Sequence, residues 1–87
     1  MEYPPFEEML RQAIAVARAA GLTESADRLE SRATAFYTTG SEYWGEVGEA
    51  IHEFLAREGD RVPGALARRF DICLAEIGKV WPKYRPS

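Results

Sequence analysis

In every stretch of this chain long enough to form an element, apolar side chains recur at intervals of three and four residues, and glycine or proline separates one stretch from the next. That period places them on one side of an α-helix, whereas a half-buried strand needs strict alternation. No β-branched alternating run occurs, nor any Asn-Gly or Asp-Gly hairpin signal. Such a chain can bury its apolar surface only by packing helices against one another.

The spacing predicts helices over about 5–20, 24–38, 41–58 and 63–81. Pro4-Pro5 suits a first turn, and Phe6, Met9, Leu10, Ala13, Ala17 and Ala20 form a stripe that Gly21 ends. Thr23 is the expected N-cap of the second helix, whose buried face comprises Leu22, Ala26, Leu29, Ala33, Phe36 and Tyr37. Thr39-Gly40-Ser41-Glu42 fits a T-x-x-E capping box, with Ser41 a near-equal cap. The third helix then buries Trp44, Val47, Ile51, Phe54 and Leu55, and Gly59 closes it. Pro63 opens the fourth, where Leu66, Phe70, Cys73, Leu74, Ile77 and Trp81 face inward as far as Pro82. Glu7–Arg11 and Glu24–Arg28 stand four apart as weak surface pairs.

A length of 87 residues is one domain, and connections of about 2–5 residues favour antiparallel neighbours. The expected fold is all-α: a small four-helix antiparallel (up-down) bundle, with an irregular orthogonal bundle as the alternative because the second helix is short. Tyr3 and Phe6 lie at one terminus, Trp81 and Tyr84 at the other, and an antiparallel bundle brings both termini to the same end. The four rings are expected to plug that end, or else to form an exposed patch for a partner. The alanine-rich core is thin, and a homodimer is a common remedy in so small a domain.

Several chemistries are excluded by counting. The chain has one cysteine, Cys73, and one histidine, His52, which removes an internal disulfide, a thiolate zinc site and any multi-histidine metal site. Glu49-Ala50-Ile51-His52 has the E-x-x-H spacing of di-iron bundles, but no second copy exists and Glu49 points away from the apolar stripe. Cys73, on an apolar face, reads as a buried inert thiol. No nucleophile elbow, P-loop or dinucleotide fingerprint occurs, so neither catalysis nor a cofactor is expected. No apolar run approaches the roughly 18–20 residues of a membrane span, and the acidic, proline-broken start is the reverse of a secretory leader. A soluble cytoplasmic protein is expected.

The sharpest surface pattern lies on the third helix. Glu42, Glu46, Glu49 and Glu53 fall at spacings of four, three and four, in one column opposite Trp44, Val47 and Ile51. That column is either a solvated outer face or a docking stripe for a protein with a basic surface. Charge is also uneven: residues 1–61 hold six basic and twelve acidic residues, residues 62–87 five basic and two acidic. Arg68, Arg69, Lys79, Lys83 and Arg85 carry the positive end, which either compensates the acidic helix within the bundle or serves self-association or anion binding. The functional expectation is a small acidic interaction protein, an adaptor or an inhibitor of the immunity-protein kind, acting by surface contact without chemistry. The alternative is a helical nucleic-acid module using Arg68, Arg69, Lys79 and Lys83, which a net charge of −3 disfavours.

Overall fold

The computed structural model describes residues 5–84. Four α-helices follow in order: α1 Phe6–Ala19, α2 Thr23–Ala33, α3 Gly40–Glu58 and α4 Gly64–Ile77. Single 3₁₀ turns occupy Gly59–Arg61 and Pro82–Tyr84, and no strand occurs among the described residues. Each helix packs against the next in sequence, α4 closes the ring on α1, and the backbones of the diagonal pairs do not approach closely. The result is a small all-α bundle. The pair α2 and α3 is antiparallel, since Ser25 near the start of α2 meets Glu58 at the end of α3 while Arg32 near the end of α2 meets Glu46.

The helix ends are written locally. Gly21 takes φ +84, and behind it the amide of Leu22 donates to Ala17 O and that of Gly21 to Arg18 O, both at 3.0 Å. This paired closure of a helix end needs a residue free to adopt positive φ. Gly59 ends α3 in the same region, at φ +54. At the start of α3 the Thr39 hydroxyl accepts from the Glu42 amide at 3.1 Å, which makes Thr39 rather than Ser41 the cap. Thr23 is not a cap: α2 starts on it, Leu22 precedes it, and no side chain caps that end.

The interior follows the expected stripes. Met9, Leu10, Ala13 and Ala17 of α1 meet Leu22, Ala26 and Leu29, Val47, Ile51 and Phe54, and Leu66, Phe70, Cys73, Leu74 and Ile77 in one cluster. Phe54 and Phe70 meet edge-on with centroids 5.0 Å apart, joining α3 to α4 at its centre. Ala13, Ala17 and Ala26 are wholly buried, so the small side chains that thin the core also let the helices approach closely. Ile14 joins the core beside them, and Ala20 is exposed.

Three expectations fail at helix ends. α2 stops at Ala33, not at about 38, and Phe36 is 92% exposed instead of buried. Thr34 returns its hydroxyl to Glu30 O at 2.9 Å and the Tyr37 hydroxyl donates to Arg32 O at 2.7 Å, so side chains take up carbonyls at the helix end. α4 stops at Ile77, not at 81, and Trp81 is 38% exposed rather than core. Among the described residues, Phe6 does not join Trp81 and Tyr84 in a plug: it packs on Trp44 and Tyr43, with centroids 4.5 and 6.2 Å away, while Trp81 and Tyr84 lie along α3. Tyr3 and Arg85 lie outside the described residues. Arg11 pairs with Glu8 at 2.7 Å, one position from the expected Glu7. No helix among the described residues is long and apolar enough to cross a membrane.

Candidate functional site

The outer face of α3 carries the column of carboxylates, because the same period that buries Val47, Ile51 and Phe54 turns Glu42, Glu46, Glu49 and Glu53 outward. All four are exposed. They are not an unrelieved stripe, however. Arg32 reaches across from α2, one guanidinium nitrogen 2.9 Å from Glu46 and the other 2.7 Å from Glu53. Partial burial works against the Arg32 charge, yet the two carboxylates outweigh it and hold the pKa above its ordinary value. Compensation of the column therefore comes from α2. Glu49 accepts from the Tyr84 hydroxyl at 3.0 Å. Glu42 stands in the first turn, where the helix dipole favours a carboxylate.

A short C-terminal strap completes this face. Beyond Ile77 the chain turns, with Trp81 N bonded back to Ile77 O at 2.8 Å, and the 3₁₀ turn Pro82–Tyr84 then lies against α3. The Trp81 indole donates to Ser41 O at 2.9 Å. A Cβ on Gly45 would stand 3.4 Å from that indole nitrogen, and a Cβ on Gly48 only 2.7 Å from the Tyr84 ring. Two glycines three residues apart thus open a seat on α3 into which the strap's rings fit. Tyr84 is 8% exposed, its ring 5.6 Å from that of His52, and Lys83 Nζ lies 5.0 Å from its centroid. Burial and the Glu49 carboxylate raise the Tyr84 pKa. A groove of about 370 Å³ runs between strap and helix, bordered by Tyr37, Glu42, Glu46 and Glu49 on one side and by Trp81 and Lys83 on the other.

A second, larger groove of about 760 Å³ separates α2 from the C-terminal half of α3. Arg28, Arg32 and Arg57 border it together with Glu24, Asp27 and Glu53. Its charges are satisfied pairwise: Arg57 holds Glu24 at 2.9 Å and Arg28 holds it at 3.5 Å. The Arg57 hydrogen bond and charge, helped by Arg28, lower the Glu24 pKa. Beneath, Ser25 donates to the buried Glu58 carboxylate, whose other oxygen is 2.7 Å from Arg61. The groove reads as a braced helix junction.

The remaining sequence candidates are dispersed. Cys73 is buried, and desolvation pushes its thiol up to about 11, far from thiolate chemistry at neutral pH. His52 is exposed beside Tyr84, and no group of three or more His, Cys, Asp or Glu side chains suited to a metal ion forms among the described residues. Three of the described basic residues of the C-terminal third engage separate neighbours. Arg69 bonds Gln12 at 3.0 Å, Lys79 pairs with Glu76 at 3.1 Å, and Lys83 sits over Tyr84. Sequence reasoning missed Phe36 as a surface feature and the strap as part of the α3 face. The run Thr34-Ala35-Phe36-Tyr37-Thr38-Thr39, poor in helix formers, was the available signal for the first. No protein-family model matches the chain, and neither a curated protein nor a solved structure matches it.

Proposed function

We propose that this chain is a small binding protein that works by surface contact and without chemistry, an adaptor or inhibitor that presents Glu42, Glu46, Glu49 and Glu53 to a basic surface of a protein partner. One observation carries the reading. Phe36, 92% exposed, immediately precedes in the chain Tyr37, which borders the same groove as Glu42, Glu46 and Glu49. An exposed aromatic ring one residue along the chain from a carboxylate-bordered groove supplies both parts of such an interface. The carboxylates steer a cationic partner, and the ring gives the desolvated anchor on which affinity concentrates. The chain's single thiol, buried and reduced, accords with a cytoplasmic setting.

The test is affinity capture from a lysate of the source cells at low and high salt, using the parent, Glu42→Lys/Glu49→Lys and Phe36→Ala. A partner retained by the parent at low salt should be released at high salt and lost on charge reversal. Phe36→Ala, which removes no buried contact, should weaken retention at least tenfold. Capture insensitive to salt, or shared by the charge-reversed chain, contradicts the proposal.

A further inference from the structure

The strap combines the features that the acidic face of α3 calls for in a partner. Trp81, Lys83 and Tyr84 place two rings and one cation on a face of glycines and carboxylates. Each feature of the strap meets its complement. The indole bonds a carbonyl of the first turn of α3, the phenol bonds Glu49, and Lys83, its ammonium over the Tyr84 ring, borders the same groove as Glu42 and Glu46. The tether is short: α4 ends at Ile77, and a few turn residues carry the chain over to the seat.

We infer that this strap is an autoinhibitory occupant of the α3 face, and that the partner contributes a segment of the same chemistry, aromatic rings beside a lysine or arginine, which displaces it. This rests on the acidic face being the binding surface. The docked strap acts as a tethered competitor at millimolar effective concentration, so a free segment of equal intrinsic affinity is disfavoured until the strap lifts. Gly48 sets the seat's depth, because any side chain there meets the ring that fills it. Release of the strap also frees Glu49 from Tyr84 and takes Lys83 away from the groove. The face then becomes more acidic as it becomes accessible.

The experiment uses the full chain and a fluorescent peptide copying residues 80–84, Val-Trp-Pro-Lys-Tyr. Trp81→Ser/Tyr84→Ser, which empties the seat, is expected to bind the peptide at least tenfold more tightly than the parent. Adding Gly48→Ala to that variant should abolish the gain. Trp81→Ser alone, at a half-exposed position, should give a smaller gain of about threefold and serves if the double variant fails to fold by circular dichroism. Equal binding by parent and strap variants overturns the inference, as does a gain that survives Gly48→Ala. A parent that dimerises on concentration through Tyr84 assigns the seat to a second copy and overturns the partner commitment. Failure of the strap is separable from failure of the acidic-face reading. Salt-sensitive capture by the parent with no gain on release removes the strap alone. A gain that persists after Glu42→Lys/Glu49→Lys removes the acidic face.

Discussion

Arg32 in the last turn of α2 bonds Glu53 of α3 at 2.7 Å, and its second nitrogen holds Glu46 at the same time. One cation therefore both fixes the antiparallel register of two helices and covers half of the acidic column. These roles have opposite consequences when it is removed. Arg32→Ala should cost about 1 kcal/mol of stability, the modest worth of exposed ion pairs. It should also strengthen low-salt retention of a basic partner, because two carboxylates are uncovered. Denaturant unfolding and capture from the same preparations check both signs. Weaker retention in a fully folded variant would mean that Arg32 itself contacts the partner.

Gly48→Ala exchanges a poor helix former for the best one, a change worth about 1 kcal/mol in the variant's favour at an open helical position. Here the new Cβ would stand 2.7 Å from the Tyr84 ring. The clash and the loss of the docked ring should outweigh the propensity gain, leaving a net loss of about 1–2 kcal/mol. Gly64→Ala, where nothing lies within 4 Å, should be neutral or slightly stabilising. A pair of thermal unfolding curves decides the matter.

Ser25 is 2% exposed and donates to Glu58, itself 8% exposed. Ser25→Ala leaves a buried carboxylate oxygen without that donor, and a loss of about 1–3 kcal/mol is expected in urea titration. Ser31→Ala, at an exposed position of the same helix, should change stability by less than about 0.5 kcal/mol.

Burial pushes the Cys73 thiol up to about 11, above the value of an exposed thiol. The unfolded chain ionises first, so the stabilisation is complete below about pH 8.5 and is lost as pH rises from there toward about 11. The thiol should resist alkylation at pH 8 in the folded protein and react fully once denatured. In Cys73→Ala the decline of stability over that alkaline window should be shallower than in the parent.

The stops at Gly21 and Gly59, the Thr39 cap and most of the core stripe were legible because each is decided within one or two turns of chain. What escaped was decided by neighbours. The apolar spacing that runs through Leu29 and Ala33 continues to Phe36, but the bundle offers that ring nothing to pack against and side-chain bonds from Thr34 and Tyr37 finish the helix first. The carboxylate column was visible as periodicity. That Arg32 braces it depends on the rotation of α2 against α3, which no single helix encodes. Gly48 admits the ring of Tyr84 from the strap, and a Trp81 counted as helical core concealed this.

Binding of a basic protein to the acidic face of α3 through charge and an aromatic anchor is tested by the slope of log affinity against log salt for the captured partner, measured by calorimetry with the parent and with Glu42→Lys/Glu49→Lys. Affinity should fall steeply with salt for the parent, with a weaker, flatter dependence for the charge-reversed chain. Equal affinities with equal slopes would contradict it.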